Sequence, residues 1–552
     1  MRPKVFLDSK GLLMHMYYRG SDPSGIYIEE KNKTVNRAQW GFSNLMEEYI
    51  IPILKDYHPS EIIAAWDGGD EYRTALFPQY KAKRKAAKKL IPAAELQQIK
   101  VLENAVKTFL AFIGATNIYA DGVEADDLLA ALCKAYPDCT KVIHTGDADI
   151  LQLADEKTVI FLKNEPVFME YKGVPLNLIR LEKALCGDKS DEYIGVRGFG
   201  PKAWNYLVEN FGHDGMQEIE QCIVTKDYSL IEEVIADTGD KVLTRIYELR
   251  KDAEKCYKLA TLDPSVCYGF RGKTLVWPIL YVRVPNRKKA HHIMDSMGYH
   301  DNREALEGLF PVETLVTEPN KHSAMNHFLE NLEFTPYVSF DYETTDALKN
   351  PDFNKALPKT AKSDYLDVLS SKINGCSFNY GSDLQYTIYL SVDHKDTENV
   401  GVDMVEMCLR AVQDKGIPLV AHNASFEEQV TYCNLDYKLD KPYDTMIMSS
   451  YVNENEDAGL KKLSERLLAY DQDGYKETLE AAGASDMGEL TGEQVLHYGC
   501  DDSLVTAVLF RMFQITMRLE GTWQFYVDKE RAPVHVLNDA FETGVNIDFE
   551  KV

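Results

Sequence analysis

Three short apolar runs in the first third of the chain each end in an aspartate. The runs are KVFLD, EIIAAWD and KVIHTGD, and they close on Asp8, Asp67 and Asp147. Amphipathic stretches separate them, and this alternation predicts a parallel α/β sheet. Because open α/β sheets place their sites at the carboxyl ends of the strands, we expect the three carboxylates in one crevice.

The chain has 552 residues, which is long enough for two or three domains. Its composition, 45% hydrophobic and 27% charged residues, is typical of a globular protein. It contains no run of about 18 apolar residues, and its N-terminal apolar stretch carries charge, so neither a membrane span nor a secretory signal is indicated. Ten cysteines without CxxC pairs argue against zinc and favour free thiols in a reducing cytoplasm.

The stretch GVEADDLLAALCKAY crowds Glu124, Asp126 and Asp127 at the start of a predicted helix. The helix dipole favours acids in a first turn, but each acid alone could equally be a cap or a turn residue. Together with other strand-end and loop acids they form a set of nine: Asp8, Asp67, Glu124, Asp126, Asp127, Asp147, Asp149, Asp188 and Asp191. Nine carboxylates in one crevice need counter-charge, which Mg²⁺ or Mn²⁺ supplies at sites built from oxygen ligands.

The net charge of −26 counts against contact with nucleic acid, but the charge is unevenly distributed. Residues 73–89, RTALFPQYKAKRKAAKK, contain seven basic residues and no acid. We call this segment the basic strip. It is either a solvated helix face or a surface that binds anions such as phosphates.

Five motifs occur in order between about Val5 and Trp204: FLDSKG, WDGGDEYRTALFPQYKAKR, GVEADDLLA, HTGDADILQL and LCGDKSDEYIGVRGFGPKAW. In this order they resemble the flap endonuclease-like 5′ nuclease domain of bacterial and phage DNA polymerase I. The resemblance implies a PIN-like parallel-sheet domain that cleaves phosphodiester bonds with two metal ions. It assigns Asp8, Asp67, Glu124 and Asp126 to one metal position, and Asp127, Asp147, Asp149, Asp188 and Asp191 to the other.

The same resemblance interprets the basic strip as the arch or clamp that holds a free 5′ strand. Lys81 and Arg84 would then position and neutralise the scissile phosphate, and Tyr80 would stack on a base. Arg73 and Lys83 are further candidates for contact with DNA.

Downstream, GVRGFGPKAW resembles a helix-hairpin-helix element. Gly198 and Gly200 would let backbone amides approach duplex phosphates, with Lys202 beside them. The resemblance also suggests a K⁺ ion at this element.

A second acidic constellation begins with Asp341 and Glu343, which lie two apart on a predicted strand and so point to one face. A half-polar strand edge is the alternative explanation of this alternation, and the acids further along the chain favour a functional role. However, DYETT, AHNASFEEQ and HYGCDD together resemble the three motifs of the proofreading 3′-5′ exonuclease domain of family A DNA polymerases. This resemblance spans roughly Tyr337 to Phe513 and implies a ribonuclease H-like fold.

Position by position, the resemblance makes Asp341, Glu343 and Asp502 metal ligands and gives Tyr498 the role of orienting the attacking water. His497 lies five residues before Asp502, which is the spacing of the histidine-type relatives, so it is an alternative to Tyr498. The second motif departs from the usual pattern, because Glu427 stands where the family has an aspartate. We include Glu427 among the metal ligands, although its extra methylene leaves the activity of this site open.

The resemblances divide the chain into a 5′ nuclease domain (1–310), a linker (311–325), a 3′-5′ exonuclease domain (326–520) and a segment like the start of a polymerase domain (521–552). Residues 346–371 look inserted relative to the family. We find no motif of a polymerase palm. The expected protein is a DNA-replication nuclease with two Mg²⁺ or Mn²⁺ ions per site, acting in the cytoplasm, or the host cytoplasm for a phage protein, beside a polymerase on a separate chain. The alternatives are a DNA-binding scaffold with silent nuclease sites, or a fragment of a full family A polymerase.

Overall fold

The structure is a computed structural model, and it describes residues 2–19, 27–30, 33–271, 274–345, 368, 371–382 and 384–544. Within these ranges the chain forms two α/β domains, each built around its own sheet. The predicted insertion at 346–371 lies almost wholly outside the described residues, and so do residues 545–552 of the predicted polymerase-like segment.

The N-terminal domain contains thirteen described strands. They are β1 (Lys4–Asp8), β2 (Tyr27–Glu30), β3 (Lys33–Asn36), β4 (Glu61–Ala65), β5 (Thr116–Tyr119), β6 (Lys141–Thr145), β7 (Thr158–Leu162), β8 (Glu165–Val167), β9 (Glu170–Tyr171), β10 (Val174–Pro175), β11 (Gly269–Arg271), β12 (Thr274–Val276) and β13 (Ile279–Tyr281). Seven of them form the main sheet in the order β13-β5-β4-β1-β6-β7-β8, and the other six form three two-stranded hairpins.

The five central strands of this sheet run parallel, whereas β13 and β8 pair antiparallel at its two edges. The prediction of a parallel α/β sheet is therefore confirmed. Each of the three apolar runs forms a strand, because β-branched and aromatic residues buried on both faces suit a sheet covered by helices on both sides.

Helices of the N-terminal domain cover both faces of the sheet and continue beyond it. They are α1 (Ser9–Tyr18), α2 (Arg37–Leu45), α3 (Glu71–Leu76), α4 (Ala82–Lys88), α5 (Ala93–Phe112), α6 (Ala125–Ala135), α7 (Ile179–Cys186), α8 (Pro201–Thr225), α9 (Ser229–Thr238), α10 (Lys241–Glu248), α11 (Arg250–Ala260) and α12 (Arg287–Ser296). One core, with Val5 and Phe109, fills the α1/α5 side, and a second, with Phe6 and Leu128, fills the α6 side. Successive residues of β1 thus point to opposite faces, as strand geometry requires.

The C-terminal domain contains six strands and nine helices among its described residues. The strands are β14 (Val312–Val316), β15 (Val338–Thr344), β16 (Ile373–Tyr380), β17 (Tyr386–Ser391), β18 (Leu419–Ala421) and β19 (Tyr443–Asp444). The helices are α13 (Lys321–Asn331), α14 (Val402–Asp414), α15 (Ala424–Leu435), α16 (Thr445–Asn453), α17 (Leu460–Leu463), α18 (Tyr475–Ala482), α19 (Gly492–Glu520), α20 (Trp523–Phe525) and α21 (Arg531–Thr543). The sheet order is β14-β17-β16-β15-β18-β19, with β15 and β16 antiparallel and β15 and β18 parallel.

Short 3₁₀ or π turns connect several elements. The 3₁₀ turns are Ala148–Leu153, Leu176–Leu178, Pro264–Cys267, Arg303–Leu309, Glu318–Asn320, Leu332–Phe334 and Met487–Glu489, and the π turns are Met46–Ile50, Ile53–Tyr57, Ser464–Leu468 and Tyr526–Glu530.

The predicted linker at 311–325 contains regular structure. Val312–Val316 is β14, which pairs in parallel with β17, and α13 begins at Lys321. Pro319 and Asn320 lie in the turn between these two elements, Glu318–Asn320. We therefore assign β14 to the second sheet.

The two domains contact each other along α19. Ile515 packs into the core around Phe6, and Arg511 donates through Nη1 to the carbonyl oxygen of Gly114 at 3.2 Å. Even α19, the longest of the described helices at 29 residues, is too polar to cross a membrane, and the shorter ones do not qualify either.

Candidate active sites

The strand ends of the N-terminal sheet place the first acids as predicted. Asp8 ends β1 and caps α1, where its carboxylate accepts a hydrogen bond from the Gly11 amide at 3.2 Å. Its other oxygen accepts from Thr145 Oγ1, at the end of the neighbouring strand β6, at 2.8 Å. Asp67 follows β4 and accepts from the Ala125 amide at 2.9 Å. The bond between Asp8 and Thr145 joins the ends of β1 and β6, and the bond between Asp67 and Ala125 joins the end of β4 to the start of α6.

The first turn of α6 brings three more acids to the same edge of the sheet. Glu124 is the N-cap position of α6, although its side chain makes no capping hydrogen bond, and Asp126 and Asp127 follow it. Glu124 and Asp127 are buried, at 8% and 1% exposed, whereas Asp126 is partly open.

The other acids of the set cluster beside α7. Asp147 accepts a hydrogen bond from the Asp149 amide at 2.9 Å, in the turn that follows β6. Asp149, Asp188 and Asp191 each offer a carboxylate oxygen within 4.8 Å of the others. We call these three residues the α7 acid group. Such spacing between three oxygens suits a single hard cation.

Burial and mutual repulsion raise the pKa of several of these carboxyls in the metal-free protein. Burial raises the pKa of Asp8 to about 7 despite the hydrogen bond from Thr145, and Asp67 and Asp126 raise it further. Burial and the adjacent Asp126 raise the pKa of Glu124 to about 7, and burial raises that of Asp127 to about 6. Strongly shifted carboxyls in a cleft are typical of functional sites.

Three basic side chains offset this negative charge. Arg73 donates to Glu124 at 2.8 Å and to both oxygens of Asp127, and Lys81 donates to Glu124 at 2.6 Å. Lys183, on α7, forms ion pairs with Asp149 and Asp188. Lys183 is not among the predicted site residues, because the sequence marks it only as a lysine five residues before Asp188.

The interior position of two residues of the basic strip changes their expected role. Tyr80 is only 1% exposed, and its hydroxyl donates to Asp191 at 2.8 Å and lies 3.1 Å from Glu124. Arg73 is 2% exposed. In this conformation neither side chain has a free face for a base or a phosphate, so we correct both to residues that position the acids.

Four of the remaining bases of the basic strip are exposed, namely Lys83, Arg84, Lys88 and Lys89. Lys83 and Arg84 lie on α4 and are exposed, while Lys81, which precedes α4, adopts a left-handed φ of 53°. This uncommon conformation for a lysine lets its side chain turn inward to the acids while α4 carries the next two bases outward.

The predicted helix-hairpin-helix glycines lie in the turn before α8. Gly198 has a φ of 78°, which favours glycine, and its carbonyl oxygen accepts from Arg245 Nη1 at 2.7 Å. Gly200 is the N-cap residue of α8, and Lys202 lies exposed in the first turn of that helix.

In the C-terminal domain, Asp341 and Glu343 lie on β15 and Asp502 lies on α19. Their carboxylate oxygens are within 4.8 Å of one another, as the predicted metal-ligand set requires. The three residues line a cleft of about 440 Å³. The cleft is also lined by Tyr342, Thr344, His422, Asn423, Phe426, Glu427, Met446, Gly459, Leu460, Tyr475 and Tyr498.

Two carboxylate oxygens at this second site are buried without any hydrogen-bond partner, namely Glu343 Oε1 and Glu427 Oε2. Burial raises the pKa of Asp341 to about 7. Burial, reinforced by Asp341, raises the pKa of both Glu343 and Glu427 well above the usual range of a glutamate. An acidic cluster with unpaired oxygens fits a bound divalent cation, because the cation supplies the missing partner.

The positions of Tyr498 and His497 separate the two alternatives for orienting the water. Tyr498 lines the cleft next to Asp502, whereas His497 is exposed and binds Glu313 on β14 at 2.9 Å. The Glu313 hydrogen bond raises the pKa of His497 to about 9, because it favours the charged imidazolium. His497 thus contacts β14, and of the two candidates only Tyr498 lines the cleft among the described residues.

Asp502 has a further partner that the sequence did not indicate. Gln472, which is 3% exposed, donates through Nε2 to Asp502 Oδ1 at 2.9 Å. Tyr470, two residues earlier, donates to the neighbouring Asp501 at 2.8 Å. The loop before α18 therefore fixes both aspartates of the third motif.

Comparison with known proteins gives two family matches. Residues 3–176 match the model of the 5′-3′ exonuclease N-terminal resolvase-like domain, and residues 363–518 match that of the 3′-5′ exonuclease. A 5′-3′ exonuclease of Bacillus subtilis is 30% identical over 221 residues, which cover 38% of this chain and 70% of that protein.

Longer matches reach DNA polymerase I. The enzyme of Borreliella burgdorferi is 22% identical over 520 residues, covering 90% of this chain and 54% of that protein. This chain thus spans about half the length of such relatives. Among solved structures, the zinc-bound T5 5′-exonuclease aligns with 18% identity and a TM-score of 0.37, over 47% of this chain and 90% of that chain.

The fold and the two acidic sites define a protein with two nuclease domains, a 5′-3′ exonuclease domain followed by a 3′-5′ exonuclease domain, as in DNA polymerase I. Specifically, the chain belongs to the 5′-3′ exonuclease family.

Proposed function

We propose that this protein is a metal-dependent nuclease of DNA replication. Its N-terminal domain removes RNA primers or flaps from 5′ ends, and its C-terminal domain removes mispaired nucleotides from 3′ ends. The observation that carries the proposal is that each of the two α/β domains, which contain the two exonuclease matches, also contains a group of three carboxylates whose oxygens lie within 4.8 Å. We place the domains at 1–310 and 311–520, followed by a polymerase-like segment at 521–552.

The residues present fit divalent cations. In the N-terminal domain the nine predicted acids would hold Mg²⁺ or Mn²⁺, and in the C-terminal domain Asp341, Glu343, Asp502 and Glu427 would do so. When bound, such a pair of ions activates a water molecule and stabilises the leaving oxygen. The unpaired oxygens of Glu343 and Glu427 support this assignment, since a buried acceptor without a donor is otherwise costly.

The chain's own residues position the substrate at the 5′ site. Arg84 and Lys83 on α4 are exposed beside the acids and are suited to hold the phosphates of a 5′ strand. Lys81 lies between Glu124 and Asp191 and would place the scissile phosphate near the acids. The α8 helix start, with Gly198, Gly200 and Lys202, would hold the duplex through its phosphates, with K⁺ as a candidate ion there.

At the 3′ site, Tyr498 orients the attacking water through its hydroxyl. Burial, reinforced by Glu343 and Asp502, raises the pKa of Tyr498 well above its usual range, so the hydroxyl stays protonated and can donate. Phe426, Leu460 and Tyr475 give the cleft apolar and aromatic walls against which a nucleotide base can stack.

A DNA polymerase is the proposed partner of the two nuclease domains. Helix α21 supports a macromolecular contact, because it packs on α15 through its polar face while Val536, Leu537 and Phe541 are 63%, 68% and 42% exposed. An apolar helix face toward solvent is typical of an interaction site.

The test uses two labelled substrates, a 5′-labelled flap and a duplex with a 3′ mismatch, each with Mg²⁺ and with EDTA. We expect metal-dependent cleavage of both. Asp126→Ala should abolish flap cleavage and leave 3′ trimming intact, while Asp341→Ala should have the opposite effect. Failure of the protein to cleave either substrate in Mg²⁺ or Mn²⁺ would overturn the proposal.

A further inference from the structure

The Lys183 ammonium lies inside the α7 acid group. Lys183 is in the last turn of α7, and its side chain is 16% exposed. Its Nζ forms one ion pair with Asp149 and another with Asp188, the latter at 2.6 Å from Oδ2. These are two of the three acids whose oxygens lie within 4.8 Å. One cation of the protein itself therefore already sits among the proposed ligands.

The hydrogen bonds of Asp188 show which of its two carboxylate oxygens is open to a cation. Asp188 Oδ1 accepts from the Ser190 amide at 2.6 Å, from Ser190 Oγ at 2.5 Å and from the Asp191 amide at 3.2 Å. This oxygen is therefore fully used by the turn. The other oxygen, Oδ2, is the one available to a cation, and Lys183 occupies it.

We propose that Lys183 is an internal counter-ion of the α7 acid group, and that a divalent cation must displace its ammonium in order to bind. The inference rests on the proposed function, which makes this group a metal site. An ammonium and a divalent cation cannot share the same carboxylate oxygens, because at such short separations they repel strongly in a partly buried site. Lys183 thus stabilises the metal-free acids and lowers the affinity of the group for metal.

The chemistry of the side chain fits displacement. A lysine carries its charge on a flexible four-carbon stem, so its ammonium can leave while the backbone of α7 stays in place. Arg73 contrasts with it, since its planar guanidinium holds both oxygens of Asp127 and is enclosed on all sides. We therefore expect Lys183 to move and Arg73 to stay when metal binds.

The first test measures Mn²⁺ affinity of the full chain by calorimetry and by the electron paramagnetic resonance signal of free Mn²⁺. Every variant carries Asp341→Ala, which removes binding at the 3′ site. Lys183→Met keeps the aliphatic stem but removes the charge, and Lys189→Met, three residues from the helix end, removes an exposed charge nearby. Relative to the protein with Asp341→Ala alone, Lys183→Met should increase the affinity for Mn²⁺ at least about tenfold, equivalent to about 1.4 kcal/mol. Lys189→Met should change this affinity much less.

Asp188→Asn distinguishes failure of the proposed metal site from failure of the counter-ion inference alone. If Asp188→Asn leaves Mn²⁺ affinity unchanged, the α7 acid group is not a metal site and the proposed function of this group fails together with the inference. If Asp188→Asn weakens binding but Lys183→Met binds no tighter than Lys189→Met, only the counter-ion inference is overturned.

A second test needs no substitution at Lys183. The rate at which acetic anhydride modifies Lys183, measured by mass spectrometry relative to Lys189, should rise severalfold when Mn²⁺ saturates the protein. An unchanged or lower relative rate would overturn the inference, because a displaced ammonium becomes more accessible than one held between two carboxylates.

Discussion

The guanidinium of Arg73 makes two hydrogen bonds to the carboxylate of Asp127, Nη1 to Oδ2 at 2.6 Å and Nη2 to Oδ1 at 3.0 Å. Both side chains are enclosed, at 3% and 1% exposure. Asp127 Oδ1 also accepts from the Asp263 amide at 2.9 Å, which joins α6 to the segment after α11. Asp127 therefore holds the domain together as well as facing the acidic crevice.

Replacement of Arg73 by alanine should destabilise the N-terminal domain. The change leaves Asp127 buried without its main counter-charge, while Glu124 keeps Lys81. Breaking a buried ion pair from one side costs about 3–5 kcal/mol. We expect the free energy of unfolding of this domain, measured by urea denaturation, to fall by about that amount, with loss of flap cleavage and retention of 3′ trimming.

Arg287→Ala is the matched control for this prediction. Arg287 forms an ion pair with Glu307 at 2.9 Å, and both side chains are exposed, at 59% and 38%, so its loss should cost no more than about 1 kcal/mol. Equal losses in the free energy of unfolding of the two variants would show that the buried pair of Arg73 and Asp127 contributes no more than an exposed ion pair.

The acids at strand ends could be predicted from the sequence because two of its features lead to the same position. An apolar run of five residues fixes the strand, and the parallel arrangement then fixes the edge where Asp8 and Asp67 meet. The direction of Tyr80 could not be predicted, because no periodicity governs a turn, and its burial depends on Glu124 and Asp191, which are 44 and 111 residues away.

The strand in the predicted linker and the partner of Asp502 could not be predicted either, because both depend on contacts between residues far apart in the sequence. The segment VETLV is short and flanked by Pro, and only pairing with β17, some 74 residues later, makes it a strand. Gln472 lies in the polar sequence DQDG, which indicates a loop, and nothing local shows that its amide reaches Asp502 across 30 residues.

Glu427→Gln should leave the fold intact but reduce 3′ trimming. Burial, together with Asp341 and Glu343, raises the pKa of Glu427 well above the usual range, so the metal-free protein holds it as a neutral acid that glutamine resembles in shape and charge. A glutamine cannot supply a carboxylate ligand, however. The melting temperature should change little, while the Mg²⁺ concentration for half-maximal trimming should rise.

Glu428→Gln is the control, since the adjacent glutamate is also buried but accepts from Asn538 on α21 at 2.6 Å and does not line the cleft. This variant should trim 3′ ends at the rate of the unaltered protein. Undiminished trimming by Glu427→Gln would remove Glu427 from the ligand set.

Gln472→Ala should weaken the 3′ site without affecting the 5′ site. The Gln472 amide favours the ionised form of Asp502, and a hydrogen bond to a charged group contributes about 1.5–3 kcal/mol. We expect 3′ trimming at limiting Mg²⁺ to fall by at least about tenfold. Gln524→Ala removes a bond of the same kind and length, Nε2 to Asp528 Oδ1 at 2.9 Å, on an exposed surface, and should change neither activity. Equal trimming by the two variants would contradict a positioning role for Gln472.

The stability of the metal-free protein should depend on the ionisation of Asp8. Burial raises the pKa of Asp8 to about 7, whereas an unfolded aspartate has a pKa of about 3.9. Between these values the folded protein keeps a proton that the unfolded chain has lost, so the contribution of Asp8 to stability falls as the pH rises through this window. At about 1.4 kcal/mol per pKa unit, the fall is no more than about 4 kcal/mol.

Two buried histidines make contributions to stability that change with pH in the opposite direction, so the test needs a comparison that removes them. Burial lowers the pKa of His144 and of His422 to about 4, so their contributions rise with pH up to about 6.5. Comparison of the unaltered protein with Asp8→Asn cancels the contributions of these histidines, which both proteins share. In EDTA, the two proteins should unfold at similar urea concentrations at pH 4.5, and Asp8→Asn should be the more stable at pH 7.5. Saturating Mn²⁺ should reverse this order, because the unaltered protein alone keeps the full set of acids and ligand binding stabilises the folded state. A difference between the two proteins that stays constant from pH 4.5 to 7.5 in EDTA would show that Asp8 is ionised throughout.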